Sequence, residues 1–120
     1  MRKQKGKNIT NKEIEQLDIS KEYAKALINK GEALKRLLQN PDYKLVISEG
    51  YFKEYPRELA EAVANNTGGY DSNKLIENLK CINNLKGYEF MISAQYDAGI
   101  QTLQEIEDYI ANSINDNVEE

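Results

Sequence analysis

The chain has 120 residues, 40% apolar and 30% charged, with one Cys, no Trp and no His. That composition belongs to a helix-rich globular chain of one domain rather than to a disordered one, and no apolar run reaches the length of a membrane span. The lack of histidine removes the usual general base and the commonest transition-metal ligand, and a single cysteine, Cys81, excludes an internal disulfide and a cysteine-based zinc site.

Charge is uneven along the chain. Residues 1–44 carry 11 Lys/Arg against 6 Asp/Glu, whereas residues 45–120 carry 5 against 14. Residues 1–9 hold Arg2, Lys3, Lys5 and Lys7 without apolar periodicity, and read as a flexible basic arm. Such an arm suits nucleic acid or an acidic protein surface, and equally a solubilising tail.

Residues 10–115 are expected to form a single helical domain. Thr10 or Asn11 can cap a helix whose first turn holds Glu13 and Glu15, and Ile14 and Leu17 begin its face. Ser20 offers a second cap, which leaves a break near Asp18–Ser20 open. The first strong helix is Ser20–Gln39. Its seam is Tyr23, Ala26 or Leu27, Lys30, Ala33 or Leu34, Leu37 and Leu38, with Lys30 snorkelling outward. Gly31 lowers local helix propensity by about 1 kcal/mol relative to alanine.

Asn40-Pro41 stops that helix and starts a short one, Asn40 capping and Tyr43, Val46 and Ile47 supplying its buried face. Gly50 is read as its C-terminal stop. Tyr51, Phe52 and Tyr55 make the densest aromatic cluster, and Pro56 opens a second short helix through Leu59, Ala60, Val63 and Ala64. Asn65–Gly69 is a loop, after which Asp71 or Ser72 caps the last helix. There Leu75, Leu79, Ile82, Leu85, Tyr88, Ile92, Tyr96, Ile100, Leu103, Ile106, Ile110 and Ile114 recur at steps of three or four, without a proline. A helix from Asp71 to Ile114 would be roughly 65 Å long. Gly87 and Gly99 are places where it could bend or be closely approached. Residues 116–120 form a frayed acidic tail, and Cys81, beside the stripe, reads as a partly buried structural thiol.

The expected fold class is all-α: an antiparallel helical hairpin of the long C-terminal helix and an N-terminal helix, joined by two short helices. Because the last helix outruns the first, apolar surface from Leu103 to Ile114 is expected to lack an internal partner, which marks oligomerisation or docking.

No enzymatic chemistry is expected. Asp97, Glu105, Glu107 and Asp108 have no matching ligand pair and read as a solvated acidic face, so neither metal nor cofactor is implied. Gly68-Gly69 precedes a helix but lacks a strand before it and the lysine of a phosphate-binding loop, so it reads as a turn. Tyr51, Phe52 and Tyr55, near Lys53 and Arg57, either plug the end of the hairpin or anchor a partner. Candidate partner-binding residues are therefore Tyr51, Phe52, Tyr55, Leu103, Ile106, Ile110 and Ile114, with Arg2, Lys3, Lys5 and Lys7 for nucleic acid.

One stretch carries a family resemblance. Leu34, Leu37 and Leu38 are followed by Asn40-Pro41-Asp42-Tyr43-Lys44, then Val46-Ile47, then Gly50-Tyr51-Phe52. This pattern, with Ile82-Asn83-Asn84-Leu85, Tyr88 and Phe90 later, resembles small helical proteins encoded by tailed bacteriophages. The resemblance covers about half of the chain and excludes the basic arm and the Gly68-Gly69 loop. It implies a non-enzymatic virion or assembly protein, made in the host cytoplasm and carried into the virion. Its partners would be other phage virion proteins, in an oligomeric or ring-associated arrangement. It assigns no site. The alternative is a small regulator that binds a host or phage factor through its acidic last helix.

Overall fold

The computed structural model describes residues 10–65 and 71–119, with side chains through Ile114. It is all-α. In order come α1 (Asn11–Gln39), α2 (Pro41–Tyr43), a π-helical segment (Lys44–Glu54), α3 (Tyr55–Ala64) and α4 (Ser72–Glu119). The long C-terminal helix α4 packs against the N-terminal helix α1, as the sequence predicts, and the connection between them is helical.

The starts of α1, α2 and α4 are written in side chains. At α1 the Thr10 hydroxyl accepts from the Glu13 N–H at 3.1 Å while the Glu13 carboxylate accepts from the Thr10 N–H at 3.0 Å, a reciprocal capping box. Asn40 Oδ1 accepts from the N–H groups of Asp42 and Tyr43 at 2.8 and 3.1 Å, with Pro41 at the first helical position. Asp71, rather than Ser72, caps α4 by accepting from the Lys74 N–H at 2.9 Å. Helix α1 is continuous through Asp18–Ser20, so the residues from Asn11 onward belong to it.

The described residues gather into two compact units. Unit 1 joins the part of α1 up to Gly31 with the part of α4 from Ala94 onward. Its pairing follows from three levels. Gly31 faces Tyr96, Gly99 faces Ala24, Leu27 and Ile28, and Tyr109 lies with Glu13, Gln16, Leu17 and Ser20. As the number falls along α1 it rises along α4, the signature of antiparallel helices. Both glycines are buried. A Cβ on Gly99 would stand 2.9 Å from the Ala24 carbonyl oxygen, so the missing side chain is what lets the backbones meet. Gly99 is thus a point of close approach within an unbroken helix.

Unit 2 comprises Glu32–Ser93. Its core is Leu34 from α1, Leu59 from α3, and Ile82 and Ile92 from α4. The residues flanking the π segment, Tyr43 (φ −64°, ψ −40°) and Tyr55 (φ −62°, ψ −45°), have ordinary helical backbones, so Pro41 to Ala64 is one helical run. The stop expected at Gly50 is therefore absent. Gly50 lies inside the π turns, its carbonyl accepting from the Tyr55 N–H five residues on. The carbonyl oxygen of Leu45 lies 3.0 Å from where a Gly50 Cβ would be.

The seams differ in phase from the sequence expectation. On α4 the covered positions include Leu75, Asn78, Ile82, Leu85, Glu89, Ile92, Tyr96, Gly99, Leu103, Ile106, Ile110 and Ser113. Their steps alternate three and four without a slip, a seven-residue repeat of the kind that keeps two helices in register. Leu79, Tyr88, Ile100 and Ile114, expected on the stripe, are exposed. On α1 the covered line runs Leu17, Lys21, Ala24, Ile28, Gly31, Leu34 and Leu38, so Gly31 takes the place expected for Lys30, and Tyr23 and Leu37 face solvent.

Candidate interaction surfaces

The aromatic cluster is real and internal to unit 2. Tyr51 and Tyr55 stack with centroids 5.9 Å apart and planes 17° apart, and Tyr51 meets Phe52 at 6.0 Å. All three rings are half-buried. The ammonium of Lys86, on α4, lies 5.5 Å from the centroid of the Phe52 ring, within cation–π range. Phe52 is thereby tied to α4.

Nine residues earlier, the Tyr43 hydroxyl donates to the Glu89 carboxylate, also on α4. Partial burial, then this hydrogen bond and then the negative charge of Glu89 push the Tyr43 phenol up to about 12 from 10.0. Tyr43, just before the π turns, and Phe52, within their last turn, are thus held by two polar anchors, Glu89 and Lys86. Sequence reasoning missed Glu89. Its signal was the seven-residue step from Ile82 to Glu89 to Tyr96, which places a carboxylate in an otherwise apolar line.

The C-terminal candidates divide. Ile106 is 7% exposed, buried in unit 1 against α1, so it is not available to a partner. Leu103 and Ile110 are half-buried, and Ile114 is exposed. The expectation of an uncovered Leu103–Ile114 surface is met only at Ile114, because α1 begins at Asn11 and reaches Tyr109 with its first turns. Two open grooves flank this helix pair. One, of about 360 Å³, is lined by Glu13, Gln16, Leu17, Ser20 and Tyr109; the other, of about 290 Å³, by Ile28, Ile100, Leu103, Gln104 and Glu107.

Arg2, Lys3, Lys5 and Lys7, and the loop glycines Gly68 and Gly69, lie outside the described residues. Asp97, Glu105, Glu107 and Asp108 are exposed, and among the described residues no group of three or more His, Cys, Asp or Glu side chains could hold a metal ion. Cys81 is exposed rather than partly buried, because the seam passes through its neighbour Ile82. No helix among the described residues is long and apolar enough to cross a membrane.

Comparison with protein-family models, with curated proteins and with solved structures finds no match to the chain. The surfaces themselves must carry the functional reading.

Proposed function

We propose that this chain is a non-enzymatic structural or assembly protein of a bacteriophage particle, packing against other virion proteins. The observation that carries this reading is the balance of apolar side chains. Among the described residues, six apolar side chains are buried while fourteen large ones are exposed. Single exposed apolar residues are ordinary, but here they outnumber the core. In unit 2 they include Phe90 at 76%, Leu45 at 68% and Val46 at 61% exposure. Burying such side chains is worth about 1.5–3 kcal/mol each, so a partner that covers several gains substantially. The Asn40–Phe52 pattern supplies the phage context.

A regulatory role is favoured by one other observation. From Gly87 onward the chain has no Lys or Arg, and Asp97, Glu105, Glu107 and Asp108 are all exposed, an acidic face suited to a basic partner. Quantitative mass spectrometry of purified particles separates the two. A fixed copy number relative to the major capsid protein supports the virion role, and a multiple of a ring symmetry places the chain at a vertex or tail. Absence from particles together with abundance in infected cells refutes it and favours the regulator.

A further inference from the structure

We infer that unit 1 pairs with unit 1 of a second copy of this chain, closing two helix hairpins into a four-helix bundle. The surface is the side of the helix pair that holds the groove between Ile28 and Ile100. On α1, Ile14, Lys21 and Ile28 follow one another at seven-residue steps and so share a face; on α4, Ile100, Glu107 and Ile114 do the same. Because the helices are antiparallel and Ile28 lies with Ile100, Lys21 stands near the level of Glu107 and Ile14 near that of Ile114. The face therefore reads isoleucine, charge, isoleucine on both helices. Ile14, Ile100 and Ile114 are 44%, 42% and 54% exposed.

This line borders the seam on α4, and on α1 it forms the half-buried edge of the seam at Lys21 and Ile28 with Ile14 exposed beyond it, so the apolar stripe is wider than two helices cover. Such a stripe belongs to helices that meet two neighbours, as in a bundle, rather than one. The charges choose the occupant. A two-fold axis running along the helices lays α1 of each copy against α4 of the other, antiparallel, with Lys21 opposite the second copy's Glu107 twice over. A two-fold axis across the helices would set Lys21 on Lys21 and Glu107 on Glu107, so only the first arrangement is self-complementary. Residues 11–31 span about 30 Å at 1.5 Å per residue. With helix axes 8–10 Å apart, the pair offers a footprint of roughly 600 Å² per copy. About 1,200 Å² in total is the lower end of specific interfaces, which suits a dimer that forms at micromolar concentration. This pairing stands apart from the virion reading and would persist if the chain were absent from particles.

Sedimentation equilibrium of the full chain, with Lys21→Glu and Glu107→Lys variants measured singly and mixed, tests it. The native chain is expected to dimerise. Each variant alone should dimerise on the order of a hundredfold more weakly, because like charges then face each other across the two-fold axis. An equimolar mixture of the two variants should dimerise again as a heterodimer, one copy bringing two carboxylates and the other two ammonium groups. That recovery also shows that both variants fold. A native chain that stays monomeric, a dimer indifferent to either substitution, or a mixture that stays monomeric overturns the proposal.

Discussion

Alanine substitution at three helical glycines separates intrinsic helix propensity from helix–helix contact, because the three sites differ only in what stands over them. A Cβ at Gly31 would lie 2.5 Å from Tyr96 Cδ1 and 2.7 Å from Cγ, and it would also strike Tyr96 Cβ. The last atom is fixed to the backbone of α4, so no rotamer change relieves the clash. The helices must separate by about 1 Å to restore a contact near 3.5 Å. Overpacking of this kind costs typically 1–3 kcal/mol, here near the upper end, and the better helix propensity of alanine returns about 1 kcal/mol. The expected net loss for Gly31→Ala is about 2 kcal/mol. At Gly99 the tightest neighbours are the Ala24 carbonyl oxygen at 2.9 Å and Ile28 Cγ1 at 3.2 Å, a conflict of a few tenths of an ångström. Gly99→Ala should lose about 0–1 kcal/mol once propensity is counted. Nothing stands within 4 Å of a Cβ at Gly87, so Gly87→Ala should gain up to about 1 kcal/mol. Thermal unfolding followed by circular dichroism resolves these differences, since 1 kcal/mol moves Tm by about 4 °C at this chain length. The order of stability should be Gly87→Ala, native, Gly99→Ala, Gly31→Ala. Gly31→Ala melting at or above the native chain would refute the close packing of Gly31 on Tyr96.

Stability should fall at high pH through Tyr43. Its phenol ionises near 10.0 in the unfolded chain and at about 12 in the folded one, so the folded state holds the proton longer. The stabilisation is complete below pH 10 and is lost between about pH 10 and 12. Two pH units are worth about 2.7 kcal/mol at most, reduced to about 1 kcal/mol by solvent screening at a partly exposed group. Tyr43→Phe should remove that part of the pH dependence, read as the difference between native and variant denaturation midpoints across the window. Asn40→Ala should cost about 1 kcal/mol by leaving the Asp42 and Tyr43 N–H groups without their cap, and Asn40→Asp should retain most of the stability. Amide hydrogen exchange should be faster across Lys44–Glu54 than in α3, because extended π-helix is uncommon and its hydrogen bonds are supported by the anchors at either end. Equal protection in the two segments would count against that account.

Helix starts were the most legible feature of the sequence. Thr10, Asn40 and Asp71 each carry the side-chain acceptor that a helix start requires, and Pro41 fixes the first turn of the next element. The phase of the seams was less legible. Tracing apolar residues alone selects Tyr88, Ile100 and Ile114, whereas the covered line passes through Asn78, Glu89, Gly99 and Ser113. Closely paired helices need small residues where their backbones meet, and a polar residue is tolerated on a seam when it finds a partner, as Glu89 finds Tyr43. Gly31 looked like a weakness in a helix and is instead the socket for Tyr96. The π turns leave no compositional mark, since shifting each hydrogen bond by one residue asks for no particular side chain. Among the candidate partner residues, the sequence brought Tyr51, Phe52 and Tyr55 together correctly. It misjudged Ile106 because it placed the unmatched length of the last helix at its C-terminal end, which the first turns of α1 in fact reach.

The division of the chain into units also orders events in time. Unit 2 is one contiguous stretch, Glu32–Ser93, whereas unit 1 is made from the two sequence ends that flank it. As the chain leaves the ribosome, Ala24 and Gly31 emerge long before Gly99 and Tyr96, the residues that cover them. At 5–20 residues per second that interval is about 3–15 s. For that time the apolar face of α1 has no internal partner, and unit 2 is being made; its last residue, Ser93, precedes Tyr96 by only three. Closing a loop costs entropy that grows with its length, so a folded unit 2 shortens the effective loop that unit 1 must close. The ends of the molecule therefore meet last, and a chain cut short anywhere before Gly99 leaves the face of Ala24 permanently open.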